Sequence, residues 1–198
     1  MSEVSHGWAD PSPAGLIALA LALFCFYAVL GGYVQSTAAP LIGLWFLGGF
    51  VVQFIVAIIE FRNGSVQGGN SFLFFSAIFM LVSGMGYIFK YFAAINNWPL
   101  DPTIDGFAWM ILGLALIVWT PATLKTSPLF MSIIVLLLDV GIPMVALMDL
   151  GILSHSFAAP ISYMCLICTV LSLYLSAAIM TNIAFKKSVI PIYGPILK

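Results

Sequence analysis

The chain has 198 residues, 63% of them hydrophobic and 7% charged, with a mean hydropathy of +1.16. Soluble domains carry about 25% charged residues, so these side chains cannot furnish a water-facing surface. The formal net charge of -1 leaves no basic face for nucleic acid.

In a bilayer every backbone N–H and C=O must be satisfied within the structure, which restricts spanning segments to helices and closed barrels. The apolar runs here are long and lack the alternation of barrel strands, which predicts an all-α, polytopic membrane protein. Six runs approach the roughly 20 residues that a spanning helix needs. The first runs from Ala14 to Val34 behind Pro13, and the second from Pro40 to Ile59, ending at Glu60 and Arg62. The third extends from Ser71 to Phe92 and the fourth from Gly106 to Leu124. The fifth covers Leu129 to Leu150 with Asp139 inside it, and the sixth Ala159 to Phe185. Together they form one six-helix domain over residues 1–198, with too little chain between them for a soluble domain.

Arg62, Lys125, Lys186, Lys187 and Lys198 fall in the even-numbered connections and the tail, whereas only Lys90 lies on the other side. This bias predicts cytoplasmic N- and C-termini. The stretch before the first span contains Glu3 and Asp10 and no basic residue, unlike a cleavable signal. Asp10-Pro11-Ser12-Pro13-Ala14-Gly15-Leu16 and Asp101-Pro102-Thr103-Ile104-Asp105-Gly106-Phe107 both fit D-P-[ST]-x-x-G-[LF]. They enter spans of opposite direction, as an inverted three-plus-three repeat would.

Few polar groups lie inside the spans. Asp139 is costly there, and it reads either as an interhelical hydrogen-bonding group or as a gating or proton-linked carboxyl. Gln53 offers an amide, either to a neighbouring helix or to a solute. Gly69-Asn70-Ser71 stands at the expected start of the third helix, where free N–H groups and the helix dipole favour an anion; simple capping explains it equally. The start of the first helix, from Ser12 to Gly15, is a second such place. Glu60 and Arg62 read as an interfacial ion pair or as snorkelling side chains, and Lys90 as a snorkelling one. Cys165 and Cys168 share one helix face, and without a further Cys/His pair they read as packing; no metal or cofactor site is expected. His6 and His155 lie outside the spans, and no nucleotide loop, H-E-x-x-H or G-x-S-x-G occurs. The chain is not expected to be an enzyme.

Four motifs occur in order along the chain. Asp10-Pro11-Ser12-Pro13-Ala14-Gly15-Leu16 matches N-P-[AV]-P-[LF]-G-L except for Asp in place of Asn. Gly48-Gly49, Gln53, Glu60-Phe61-Arg62 and Gly69-Asn70-Ser71-Phe72 follow, then Thr123-Leu124-Lys125, then Phe185-Lys186-Lys187-Ser188-Val189-Ile190-Pro191-Ile192. In these the chain resembles the acetate uptake transporter family, also called the succinate-acetate permease family. The resemblance implies a homohexamer in the plasma (inner) membrane that carries small monocarboxylates such as acetate, with succinate and proton linkage in the same frame. It implies a substrate path past Pro13, Gly15, Leu16, Gln53, Asn70, Ser71 and Phe72. It also implies a narrow point near Leu19, Met80 and Leu137, where only the leucine of the fifth helix keeps the family's residue type. Glu60 and Asp139 are the gating or proton-linked candidates. A second, local resemblance, in Tyr91-Phe92-Ala93-Ala94-Ile95-Asn96-Asn97 with Leu100-Asp101, is to the acid-gated urea channel and amide transporter family. It implies urea or a short amide as the alternative solute.

Overall fold

The computed structural model describes residues 8–198, so Glu3 and His6 lie outside it. Among the described residues, six helices are long and apolar enough to cross a membrane. They are α1 (Ser12–Leu30), α2 (Ala39–Arg62), α3 (Val66–Ile95), α4 (Thr103–Thr126), α5 (Leu129–Asp149) and α6 (Ala158–Phe185). Six alternating spans bring the first and last residues to one end of the bundle, called here the terminal end.

The helix ends follow local chemistry. Asp10 accepts a hydrogen bond from the Ser12 N–H at 2.9 Å, and Pro13 occupies the first turn, where its missing N–H is no loss. At the far end of α1, Gly32 takes φ +71, and the N–H groups of Gly31, Gly32 and Tyr33 turn back onto the last carbonyls. This glycine stop ends α1 at Leu30, four residues before the expected Val34. The larger difference is at α3, which begins at Val66 rather than Ser71. Ser65 to Gly68, a polar stretch that reads as loop, forms its first turn. Within α3, Phe75–Val82 is a π-helix, a local widening that recurs at functional sites.

Glycines decide which helices close on each other, because lipid supplies little hydrophobic drive for helix association. A side chain on Gly43 of α2 would meet the Gly84 carbonyl of α3 at 2.5 Å, and one on Gly84 would meet the Gly43 carbonyl at 2.9 Å. On α4, Gly106 lies against the Ala146 carbonyl and Gly113 against Pro143, both on α5. Helix α1 runs along α6, where Ser176 donates to the Pro13 carbonyl at 2.9 Å. An inverted three-plus-three arrangement would match this α1–α6 packing with one between α3 and α4. Those two helices instead lack comparable backbone packing and meet through side chains.

Another internal likeness relates two connections at the end opposite the termini. Leu30-Gly31 through Ser36 to Ala38-Ala39-Pro40 is repeated 120 positions later as Leu150-Gly151 through Ser156 to Ala158-Ala159-Pro160. Each contains a single 3-10 turn, Ser36–Ala38 and His155–Phe157, leading into a long helix. The tail after Phe185 is tied down rather than free. Asn182 bonds the backbone of Val189 and Ile190, Tyr174 donates to the Pro191 carbonyl, and the Leu129 N–H donates to Tyr193.

Candidate functional site

Two cavities open at opposite ends of the bundle. The one at the terminal end has about 800 Å³ and is lined by residues from every helix, among them Ser12, Leu16, Glu60, Ser71, Thr123, Met131 and Leu175. The other has about 250 Å³ and is lined by α1, α3, α4 and α5, with Ser83, Tyr87, Lys90, Asp105 and Asp149 as its polar members.

Between them stands an aromatic waist. Phe26 of α1 lies 5.1 Å from Phe79 of α3 and 6.4 Å from Trp109 of α4, and Phe79 lies 5.8 Å from Trp109, edge to face. Phe75 supports Phe79 at 5.3 Å, and nearer the terminal end Phe74 meets Trp119 at 5.4 Å. The π-helical stretch carries both Phe75 and Phe79. A small pocket of about 40 Å³ beside the waist is wholly apolar and includes Leu137, Leu138 and Cys165.

At the terminal end the cavity wall is largely apolar, and its polar groups are neutral apart from Glu60. Gln67, on the first turn of α3, donates from Nε2 to Thr123 Oγ1 at 2.6 Å and accepts at Oε1 from Thr126 Oγ1. Glu60 is 9% exposed and is the one formally charged residue of that lining. Its Oε2 and the Ser65 hydroxyl lie 2.6 and 2.5 Å from where a side chain on Gly68 would begin, so a larger residue there would displace one of them. At the other end Lys90 pairs with Asp105. Asp101, just before α4, accepts from the Thr103 N–H at 3.0 Å and its hydroxyl at 2.6 Å. These bonds hold the Asp101 carboxyl below the usual carboxylate range.

The expected site residues divide between cavity and packing. Leu16, Asn70, Ser71, Phe72 and Glu60 line the terminal-end cavity together. Gly15 sits directly beneath the Phe72 ring, and its carbonyl accepts from Gln53 Nε2 at 3.3 Å. Gln53 is fully buried and leaves its Oε1 without a partner. Pro13 is buried against α6 through its carbonyl. Leu19 and Met80 belong to one buried cluster, and Leu137 packs against it. Leu19 and Met80 are buried in the core, where Met80 fills the space left by Gly49 at 3.0 Å, and Leu137 borders the small apolar pocket.

Two expectations are corrected by this geometry. Gly69-Asn70-Ser71 is not a helix start: the Gly69 N–H already bonds the Ser65 carbonyl, and the first-turn donors are those of Gln67 and Gly68. Glu60 and Arg62 form no ion pair, because the Arg62 guanidinium lies over the Trp8 ring at 4.9 Å. Lys90, the other expected snorkelling side chain, pairs with Asp105. Asp139 faces α4, accepting from Thr120 Oγ1 at 2.5 Å, and lines neither end cavity.

The described part of the chain superposes on a solved structure of the bacterial acetate channel SatP with a TM-score of 0.81 at 17% identity. The match covers 93% of this chain and 99% of that one. The chain shares the fold of an acetate channel. No protein-family model matches the sequence, and no curated protein does either. The residues between Arg62 and Gly69 supply the Gln67 turn of α3.

Proposed function

We propose that the protein is a membrane channel or transporter for small monocarboxylates such as acetate. The observation that carries this reading is the series of vestibule, aromatic waist and second vestibule between α1, α3 and α4, in a fold shared with an acetate channel. A small carboxylate is hydrated in both vestibules, and only a short apolar passage demands dehydration, which limits the cost of carrying charge through a low-dielectric region. Hydroxyls from Ser12, Ser71 and Ser127 give the solute hydrogen-bonding partners on the terminal side. Uptake of radiolabelled acetate into liposomes containing the pure protein tests the reading. Entry no faster than into empty liposomes overturns it.

A small amide such as urea is the second reading. It is favoured by the lining of the larger cavity, which contains Glu60 and no Lys or Arg, so no fixed cation balances a carboxylate there. Urea entry in the same assay decides between the two. Within either reading the termini face the cytoplasm, where five of the six basic residues then lie. The family resemblance supports a homohexamer in the plasma membrane, a route for succinate, and proton linkage with Glu60 or Asp139 as the carrier.

A further inference from the structure

The bundle wall has one seam unlike the others. Helices α2 and α3 close backbone to backbone at Gly43 and Gly84, and on α4 Gly106 lies against the Ala146 carbonyl of α5 and Gly113 against the Pro143 ring. Helices α1 and α6 pack along their lengths. Across the seam between α3 and α4 there is no comparable backbone packing. Side chains alone bridge it: Gln67 to Thr123 and Thr126 at the terminal end, aromatic pairs in the middle, and Lys90 to Asp105 at the far end. Both helices also line both vestibules and supply the Phe79–Trp109 edge of the waist. Any change in their separation therefore changes the bore.

We propose that Gln67 sets the upper size of the solute by latching the α3–α4 seam at the terminal end, an inference that rests on the transport reading above. The carboxamide is used at both ends, as donor to Thr123 and acceptor from Thr126, so its full length fixes the spacing of the two helices. Thr123 is 4% exposed, which puts the inner half of the bridge in a site where water does not compete freely for its hydrogen bond. On α4 the latch grips the stretch beyond Pro121, a proline inside the helix. Proline removes one backbone bond there, leaving the Ile117 carbonyl without its normal donor and the final turns less constrained by the helix itself. The Gln67 bridge supplies the missing restraint from across the seam. On α3 the residues Gln67, Ser71 and Phe74 follow one helix face, opposite Thr126, Thr123 and Trp119 on α4. The latch is thus in line with the aromatic pair that leads to the waist.

The test is a size series of formate, acetate, propionate and butyrate, measured as radiolabel uptake into liposomes containing the full chain. Gln67→Ala is expected to raise the propionate-to-acetate uptake ratio by about fivefold, equivalent to roughly 1 kcal/mol in relative barrier. Gln67→Leu keeps most of the side-chain volume but not the latch, and Thr126→Val removes one partner with little change of shape. Both are expected to shift the ratio in the same direction, and combining them should add little. Unchanged ratios in all three folded variants overturn the proposal. If the wild type carries no carboxylate but does carry amides, the same ratio is read from acetamide and propionamide. In that case the monocarboxylate reading fails while the latch is still judged. A wild type that carries neither series overturns both.

Discussion

The two vestibules are closed across the same pair of helices by opposite chemistry. At the terminal end a neutral amide spans from α3 to two hydroxyls of α4 in a cavity of about 800 Å³. At the other end a lysine and an aspartate meet in a cavity of about 250 Å³ that also contains Asp149. The Lys90 and Asp105 side chains are 45% and 34% exposed, so salt and water screen their attraction, and such a pair contributes about 0.2–1 kcal/mol at most. The amide bridge is insensitive to salt, and interhelical hydrogen bonds in membranes average about 0.6 kcal/mol. Both closures are weak enough to open in passing, but only one responds to ionic strength. Under the proposed transport function, the closure at the terminal end acts through spacing and the one at the far end through charge.

The largest effect should come from the waist that the two vestibules share. Phe79→Ala removes the ring that contacts Phe26, Phe75 and Trp109. Acetate flux in stopped-flow proteoliposome assays is expected to rise on the order of tenfold, as about 1.4 kcal/mol less barrier requires. An unchanged flux would remove the waist from the path and make the comparison of its two sides meaningless.

Next in size is Glu60→Gln, which deletes the one formal charge lining the larger cavity. Acetate uptake is expected to increase by about threefold, or roughly 0.65 kcal/mol, with urea or acetamide entry little changed. Equal changes for anion and amide would mean that Glu60 acts on packing rather than on charge. At the far end, Lys90→Met is expected to flatten the dependence of acetate uptake on ionic strength while costing under about 1 kcal/mol of stability. A salt profile identical to that of the wild type would break the electrostatic assignment of that mouth.

The smallest effect concerns Asp101, which belongs to the far end but not to its cavity. Hydrogen bonds from Thr103 depress its folded-state pKa, so its contribution is complete above the ordinary carboxylate value of 3.8 and is lost as pH falls through the depressed one. Thermal unfolding followed below pH 4 should therefore show a slightly steeper acid loss in the wild type than in Asp101→Asn. Identical profiles would count against the Thr103 bonds.

The six spans were legible because hydropathy needs only length and composition, and apolar runs such as that of α5 leave no other reading. Their ends were legible where a residue stops a helix by its own chemistry. Pro128 before α5 is one case, and Leu129 as the first helical residue was found as expected. The start of α3 was missed because Ser65-Val66-Gln67-Gly68 has the composition of a loop, and only the cavity and the partner helix give it a reason to coil. Gln67 was overlooked for the same reason. A signal existed in Trp119, Thr123 and Thr126, whose spacing puts one aromatic and two hydroxyls on a single helix face, but nothing in the sequence names the helix opposite. Phe26, Phe79 and Trp109 were hidden differently: among 16 Phe and five Trp residues, no periodicity distinguishes a waist from lipid-facing rings.

By itself the sequence determined that the chain lives in a bilayer, that it crosses six times, and where most crossings begin, because the cost of unsatisfied backbone groups and buried charge depends only on local composition. It also carried the order of motifs that resemble a transporter family. Tertiary structure alone decided which polar groups face the cavities. Leu16, Ser71 and Glu60 reach the terminal-end vestibule, Gln53 and Met80 are consumed in packing, and Arg62 leaves Glu60 for Trp8. The reason is that a solute path is a relation between helix faces, set by glycines that let some pairs close and by longer side chains that keep α3 and α4 apart.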